Sequence, residues 1–344
     1  MSDPSRITIF GAGSWGTALA VTLARAGRRV TLWARRPEAT EKIRDTHYNP
    51  TYLPEVEIPE AVAVTSDLAE AAQVEGLWTV ATPSHAVRAV AERLRPFADA
   101  ERLVVSVAKG IENDTLMTTT QVLVDVFGDS VPERNIGALY GPSHAEEVGA
   151  RRPTTVVAAA DDEAIAERMQ EAFMTDRLRV YVNTDVRGVE IAGSVKNVLA
   201  IAAGISDGLG YGDNTKAAIV TRGVAEIKRL GMAMGARAQT FAGLAGIGDV
   251  VVTCMSRHSR NRHLGEQIGR GKTLGEIEEE MTMVAEGVRT TRSVQALARR
   301  RGIEMPITEA VHAVLFEGKA PTAAVDELMT RSAKRENWLP DSLL

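Results

Sequence analysis

The feature that most constrains this chain is a glycine-rich segment close to its start. Residues 6–10 read RITIF, a short apolar and β-branched run that is typical of a buried strand. The letters GAGSWG follow at positions 11–16, and the next residues show the apolar spacing of a helix that stops at Gly27. A strand, a tight glycine turn and a helix in this order are typical of a dinucleotide-binding βαβ unit.

The three glycines of this segment meet different physical demands. Gly11 permits a sharp exit from the strand, Gly13 lacks the Cβ that would block a pyrophosphate, and Gly16 lets helix and strand pack closely. The first amide groups of the helix then face the anion. A second strand at residues 29–33 completes the unit, so the sequence predicts dinucleotide binding.

The end of the second strand bears on which dinucleotide is bound. Arg35 and Arg36 stand about twenty residues past the glycines, where such a fold meets the adenosine ribose. NAD sites usually place an acid there, but here Glu38 comes only after Pro37. Guanidinium groups suit a 2′-phosphate, so the sequence favours NADP, with NAD and a solvated surface pair as alternatives.

Length, charge and cysteine content limit the class of protein. A chain of 344 residues suggests two domains, and a net charge of −5 gives no reason to expect nucleic acid as a partner. Cys254 is the single cysteine, so no internal disulfide can form, and we interpret it as a small buried hydrophobe. The start of the chain lacks a signal-peptide pattern and no apolar run is long enough to span a bilayer. We therefore expect a cytoplasmic protein without membrane insertion, and we predict no metal site.

The first half of the chain alternates strand-like and helix-like segments. Further strands are predicted at residues 77–81, 103–108, 135–140, 155–159 and 178–182. Because ligands collect at the carboxyl ends of parallel strands, the loops at 82–85, 109–112 and 141–145 are expected to share one cleft. Lys109 is the most informative residue in these loops, since it follows an apolar strand directly and Gly110 permits close backbone approach.

The second half of the chain has helical spacing, apart from a strand-like run at residues 250–252. We predict an α/β, Rossmann-like N-terminal domain with a largely parallel, doubly wound sheet at residues 1–187. An all-α domain for substrate binding and catalysis is predicted at residues 188–335, followed by a tail at 336–344.

Two lysines on the predicted helices could carry proton transfer. The same-face neighbours of Lys196 are small or apolar, with no acid among them. Desolvation would lower the pKa of such a lysine towards neutrality, which suits a proton donor and acceptor. Lys228 passes the same test, and a snorkelling lysine is the other interpretation, so the residue pattern leaves the choice open.

Two further polar segments lie in the helical half. Two glycines precede Asp249, and residues 256–262 supply hydroxyl, guanidinium and amide donors that suit a phosphate group. A basic loop that leads into a helix is the alternative for this segment. The letters VAEG at 284–287 break a helical stretch, and they either reach the cofactor or begin a helix with an acid in its first turn.

Taken in order, the motifs resemble the bacterial form of the NAD(P)-dependent glycerol-3-phosphate dehydrogenases over nearly the whole chain. The matching blocks are GAGSWGTA, VATPSH, KGIE, GPSHAEE, GSVKN, DGLGYGDNTKAA, GIGDVVVTC, SRNR and VAEG. The resemblance implies hydride transfer between NAD(P)H and dihydroxyacetone phosphate, a small phosphorylated substrate, giving sn-glycerol 3-phosphate for phospholipid synthesis. The oligomeric state stays open, with a homodimer as one alternative. Another hydroxyacid or phosphosugar dehydrogenase, or a non-catalytic dinucleotide-sensing protein, are the alternative functions.

The resemblance also implies roles for single residues. Lys196 would be the general acid and base, and Lys109 would touch both nicotinamide and substrate. Substrate contacts are implied for Gly141, Ser143, Asp249, Ser259, Arg260 and Asn261. Besides the three glycines and Arg36, cofactor contacts are implied for Ser14, Trp15, Arg35, Ala145, Arg260, Val284 and Glu286.

Overall fold

The structure is a computed structural model, and it describes residues 5–281, 285–333 and 336. The strands found in these residues are β1 (Arg6–Phe10), β2 (Arg29–Trp33), β3 (Tyr48–Asn49), β4 (Leu53–Glu57), β5 (Val62–Thr65), β6 (Leu77–Val80), β7 (Val104–Ser106), β8 (Ile136–Tyr140), β9 (Thr154–Ala159) and β10 (Leu178–Asn183). The helices of the first half are α1 (Ser14–Arg25), α2 (Pro37–Thr46), α3 (Leu68–Gln73), α4 (Val87–Leu94), α5 (Thr119–Phe127), α6 (Ala145–Gly149) and α7 (Glu163–Phe173).

Eight of these strands form one sheet, in the order β10-β9-β8-β7-β6-β1-β2-β5. Every neighbouring pair is parallel except β8 with β9, so the prediction of a largely parallel sheet is confirmed. The chain moves outward from β1 to β2 and then crosses to β6 on the other side of β1. This reversal opens a crevice at the carboxyl ends of β1 and β6.

Both faces of the sheet are covered by helices, as a doubly wound fold requires. Ile7 and Ile9 of β1 pack in one apolar cluster with α1 and α7, whereas Phe10 belongs to a second cluster with α4 and α5. Strand β5 and the antiparallel hairpin of β3 and β4 were not predicted. The sequence of β4, LPEVE, holds a proline and two acids, so its composition carries no strand signal.

The second half of the chain is organised around one long helix, α8 (Val186–Gly208), which Asp185 caps through a bond to the Gly188 amide. Around it lie α9 (Asp213–Ala233), α10 (Asp249–Met255), α11 (Arg260–Gly269), α12 (Leu274–Glu280), α13 (Glu286–Arg301), α14 (Pro306–Phe316) and α15 (Pro321–Met329). No strand occurs among the described residues of this half. The boundary at residue 187 falls in the first turn of α8, and the division into domains there stays a prediction.

The expectation that no apolar run could span a bilayer was wrong by length and composition alone, because α8 is long and apolar enough to do so. The whole apolar window of α8 is nevertheless buried inside the protein. A helix that is apolar on all sides is typical of a protein core. Helices α9, α10, α11, α13 and α14 all contact it. It is therefore the core helix of this half.

The strand-like signal at residues 250–252 was wrong, because this run lies in α10. Val250 and Cys254 are one turn apart and both are fully buried in the core around α8. Helical packing of these residues outweighs the weak β preference of valine.

One close contact joins α8 to the sheet. A Cβ on Gly193 would lie 2.5 Å from Cδ2 of Tyr140, at the end of β8, so only glycine fits there. This approach places the middle of α8 beside the carboxyl ends of β7 and β8. The loops that carry the predicted site residues emerge at this edge.

Candidate active site

The glycine turn after β1 leaves room for an anionic ligand. Gly11 has a φ of 130°, and a Cβ on Gly16 would lie 1.9 Å from the Gly11 carbonyl oxygen, so both positions require glycine. A Cβ on Gly13 would have no atom within 4 Å. Gly13 also stands at the N-cap of α1 without a side-chain capping bond, while the Ser14 hydroxyl donates to the Tyr52 carbonyl instead. Open space beside uncapped helical amides fits a dinucleotide pyrophosphate.

Two other cofactor candidates lie near this turn. Trp15 is partly buried, and its indole nitrogen has no hydrogen-bond partner within the part of the chain that the structure describes. Ala145 is buried at the first position of α6, which packs against α1.

Arg35 and Arg36 are both exposed at the carboxyl end of β2. Burial, together with the positive charges of Arg289 and Arg35, lowers the pKa of His85 below its usual value. Arg35 and Arg289 are therefore both close enough to His85 to act on its charge. Such a concentration of cationic groups suits a phosphate.

The centre of the site is a buried carboxylate between two lysines. Asp249, at the start of α10, is fully buried. Its Oδ2 accepts a hydrogen bond from Nζ of Lys109 at 2.8 Å, and its Oδ1 accepts one from Nζ of Lys196. The three residues come from the loop after β7, from α8 and from α10, and they lie up to 140 positions apart in sequence.

Neighbouring groups complete the environment of the two lysines. Lys109 Nζ also donates to the Gly141 carbonyl at 2.9 Å and lies 3.4 Å from the Ser143 hydroxyl. Lys196 Nζ also donates to the Thr253 hydroxyl at 2.7 Å. Two of the three ammonium hydrogens of Lys196 are thus directed to Asp249 and Thr253, which leaves one for a ligand.

Burial sets the protonation of the Lys196 amine. Desolvation, opposed by Asp249 and reinforced by repulsion from Lys109, lowers the pKa of Lys196 to about 8. Lys228, the other lysine that the residue pattern allowed, is half-buried on α9, whereas the lysines bonded to Asp249 are Lys109 and Lys196.

Two further titratable side chains lie close to the cluster. Burial and the charge of Lys196 lower the pKa of His144, which favours the neutral ring. Burial raises the pKa of the Cys254 thiol to about 12, so this cysteine is not a nucleophile at neutral pH.

At the start of α11, two side chains accept hydrogen bonds from backbone amides, and one cationic residue is exposed. The Ser259 hydroxyl accepts from the Arg262 amide at 3.2 Å and caps the helix. The Asn261 carboxamide oxygen accepts from the Gly287 amide at 2.9 Å, which ties α11 to α13. Arg260 is exposed in the first turn of α11. Of the three residues, Arg260 is the exposed one.

Glu286, at the start of α13, reaches across to the sheet. Its carboxylate accepts from the Ser84 amide, in the loop after β6, at 3.1 Å. Burial raises the pKa of Glu286, against the lowering effects of this bond and of Arg260. Val284, the other candidate in this segment, lies outside the described residues.

The sequence analysis missed two features of the site. Thr253 lies four residues after Asp249, on the same face of α10, and this spacing was the available signal. The acid that pairs with Lys196 was not among its helical neighbours, because Asp249 is 53 residues away. No local pattern reveals such a pairing.

Known proteins resemble this chain over nearly its whole length. The family model described as the NAD-dependent glycerol-3-phosphate dehydrogenase N-terminus matches residues 6–166, and the model for the C-terminus of the same enzymes matches residues 185–326. A glycerol-3-phosphate dehydrogenase (NAD(P)+) of Salinibacter ruber is 69% identical over 337 residues, 98% of each chain. One of Chlorobium phaeobacteroides is 53% identical over 331 residues, which cover 96% of this chain and 99% of that one. The crystal structure of a glycerol-3-phosphate dehydrogenase from Coxiella burnetii has a TM-score of 0.90 and 39% identity, over 95% of this chain and 99% of its own.

Proposed function

The chain belongs to the family of NAD-dependent glycerol-3-phosphate dehydrogenases, and from that premise we propose which of its residues carry the reaction. The protein is an oxidoreductase that interconverts dihydroxyacetone phosphate and sn-glycerol 3-phosphate with NAD(P)H. The relatives fit this function and neither of the alternatives. The observation that supports the residue assignment is the bridging of Lys109 and Lys196 by one buried carboxylate, Asp249.

In this proposal Lys196 is the general acid and base. The bound nicotinamide cofactor would supply the hydride to the carbonyl carbon from its reduced form, and its oxidised form would accept the hydride in the reverse direction. The ammonium of Lys196 donates its remaining hydrogen to the substrate oxygen and releases the proton as negative charge develops there. With a pKa of about 8, Lys196 holds the proton for reduction just below that pH and can accept one for oxidation just above it.

Lys109 supplies a second positive charge close to the reacting oxygen. Its bonds to Asp249 and to the Gly141 carbonyl hold the ammonium in place. Because two lysines face one carboxylate, the cluster keeps a net positive charge, which favours an anionic substrate and a developing alkoxide. Gly141 and Ser143 adjoin Lys109, so we assign them to the same end of the substrate.

The substrate phosphate is assigned to the start of α11. Arg260 provides an exposed guanidinium beside the helix N-terminus, a combination that suits a phosphate dianion. Ser259 and Asn261 are proposed as neighbouring contacts, the latter through its amide nitrogen, since its oxygen is bonded to Gly287.

The cofactor is assigned to the crevice between β1 and β6. Gly11, Gly13 and Gly16 would cradle the pyrophosphate, with the remaining contacts from Ser14, Trp15, Ala145, Val284 and Glu286. We propose that Arg35 and Arg36 hold a 2′-phosphate, which makes NADP the favoured cofactor of the two.

The proposal extends to the cellular setting of the reaction. Supply of glycerol 3-phosphate for phospholipid synthesis follows from the reaction itself, because this product is the backbone of glycerophospholipids. A cytoplasmic location accords with the single, buried cysteine. A homodimer is one alternative for the oligomeric state, and light scattering of the purified protein would test it.

The function is tested by following the absorbance of reduced nicotinamide with each cofactor and dihydroxyacetone phosphate. We expect substrate-dependent oxidation of NADPH, slower oxidation of NADH, and sn-glycerol 3-phosphate as the product. Turnover with a 2-oxoacid and none with dihydroxyacetone phosphate would contradict the function.

A further inference from the structure

A second buried carboxylate lies two turns before Lys196 on α8. Glu190 is only 1% exposed, yet each of its oxygens receives two hydrogen bonds. All the donors belong to three consecutive threonines at the start of α5. They are the hydroxyls of Thr118 at 2.6 Å, Thr119 at 2.8 Å and Thr120, and the amide of Thr120 at 2.8 Å. A carboxylate of the helical half is thus held by a helix start in the α/β half.

Polar contacts continue from Thr119 towards Lys109. The one hydroxyl hydrogen of Thr119 goes to Glu190, and the Thr119 oxygen lies 3.2 Å from the Tyr140 oxygen and 3.3 Å from the Ala108 carbonyl oxygen. The Tyr140 hydroxyl donates to that same carbonyl. Ala108 directly precedes Lys109, and Lys109 Nζ lies 5.7 Å from the centre of the Tyr140 ring. The Glu190 carboxylate is therefore linked by Thr119 and Tyr140 to the backbone that carries Lys109.

Helix α8 also supports Tyr140 from its other side. The Tyr140 ring packs on Gly193, and Glu190, Gly193 and Lys196 follow one another at intervals of three residues along the helix. One stretch of α8 thus holds the Thr119–Tyr140 link, buttresses the aromatic ring and carries the proposed acid.

Burying a carboxylate between two elements costs desolvation free energy. Replacing such a group by a well-packed apolar residue is often neutral or stabilising, so stability alone does not account for Glu190. A fully bonded buried network does, however, hold its members in one arrangement. The network around Glu190 extends to the carbonyl of Ala108, the residue directly before Lys109.

We propose that Glu190 is a positioning residue for the reaction. Acting through Thr119 and Tyr140, it holds Lys109 at the place where a single Asp249 carboxylate bridges Lys109 and Lys196. The inference rests on the proposed roles of these two lysines.

The first test is a double-mutant cycle of Glu190→Gln with Lys109→Met. Alone, Glu190→Gln keeps the shape of the side chain but presents an amide to donors, and we expect kcat to fall on the order of tenfold to a hundredfold. In the Lys109→Met background the same change should cost less than about twofold, because the residue it positions is gone. Losses that multiply independently would overturn the proposal, whereas an unimpaired Lys109→Met single variant would overturn the role of Lys109 as well.

Glu226 offers a matched control. It is 2% exposed on α9 and accepts bonds from the amides of Ile307 at 2.7 Å and Thr308 at 3.3 Å, at the start of α14. Glu226→Gln should lower Tm yet leave kcat within about twofold, and its effect should be independent of Lys109→Met. The same loss of kcat for Glu226→Gln as for Glu190→Gln would mean that buried carboxylates act only through stability, and the proposal would fail.

The second test uses Tyr140→Phe, which removes one hydroxyl and keeps the ring, and it serves if Glu190→Gln does not fold. Circular dichroism and Tm report on folding, and the pH dependence of kcat reports on Lys196. Repulsion from Lys109 lowers the pKa of Lys196. A displaced Lys109 should therefore move the midpoint of the pH profile of kcat above about 8. We expect this upward shift with unchanged NADPH affinity, and an unmoved midpoint would contradict the proposal.

Discussion

The two walls of the cleft offer different groups to anionic ligands. The wall formed by β1 and α1 offers backbone, with open space at Gly13 beside the uncapped amides of α1. The wall formed by α8, α10 and the loop after β7 offers charged side chains, namely Lys196 and Lys109 around the buried Asp249. The first wall is encoded in six consecutive residues, whereas the second joins residues up to 140 positions apart.

This difference predicts different sensitivities. Ligand binding at the wall of β1 and α1 depends on the shape of the backbone, so a single added methyl group there should disturb it. Changes of charge nearby should affect only ligand groups at the edge of this wall. A wall of buried charges depends on pairing, so removing one charge leaves the others uncompensated. Five changes test this contrast, beginning with the largest expected effect.

Lys196→Met should lower kcat about a thousandfold, because both proton transfer and charge stabilisation are lost. The Kd of NADPH, measured by fluorescence titration, should change little. Lys228→Met is the matched control on α9 and should leave kcat within a few fold. If Lys228 proved essential and Lys196 dispensable, the catalytic helix would be wrongly assigned.

Asp249→Asn should lower kcat on the order of a hundredfold, because both lysines lose their shared partner. The charge of Asp249 raises the pKa of Lys196, so its removal should move that pKa below about 8. Reduction needs the ammonium form, and its rate should therefore begin to fall at a lower pH than in the native enzyme.

Asp207→Asn is a fitting control for this pH profile, since Asp207 also pairs with two cations, Lys216 at 2.6 Å and Arg262 at 2.7 Å. Asp207→Asn should leave the midpoint of the pH profile of the reduction rate unchanged. A midpoint that stays near that of the native enzyme in Asp249→Asn would show that the carboxylate does not set the protonation of Lys196.

The double variant Arg35→Ser, Arg36→Ser should bind NADPH more weakly by roughly 1.5–3 kcal/mol, about tenfold to a hundredfold. The reason is the loss of charge-assisted hydrogen bonds. NADH has no 2′-phosphate, so its Kd should hardly change. Equal losses for the two cofactors would exclude a 2′-phosphate site at these arginines.

Arg260→Lys should raise the KM for dihydroxyacetone phosphate about tenfold, because lysine keeps the charge but loses the planar, bidentate fork. The Kd of NADPH should be measured in the same variant, since Arg260 is assigned to both ligands. An unchanged KM would remove Arg260 from the substrate site.

Gly13→Ala should weaken NADPH binding by about 1 kcal/mol, roughly fivefold, by disturbing an amide contact to the pyrophosphate. It should leave Tm unchanged, as no atom lies within 4 Å of the added Cβ. Gly16→Ala is the contrasting variant, because its Cβ would meet the Gly11 carbonyl at 1.9 Å and should lower Tm. Equal stability of the two variants would contradict the packing of α1 on β1.

Local sequence determined much of the fold. The alternation of residues in β1 assigns Ile9 and Phe10 to opposite faces of the sheet, and the apolar spacing of residues 163–173 is that of the helix observed there, α7. The glycine turn could be interpreted residue by residue, because Gly11 has a positive φ and a Cβ on Gly16 would meet the Gly11 carbonyl of the same turn.

Only the tertiary structure decided how the charges are paired. The sequence could not choose between Lys196 and Lys228, since both have acid-free helical neighbours, and the choice depends on Asp249 approaching from another helix. Nor could it show that residues 250–252 are helical, because the burial of Val250 and Cys254 against α8 outweighs the strand preference of valine. Steric fit within a turn is a property of neighbours in sequence. The pairing of buried charges is a property of neighbours in space, and packing alone brings those together.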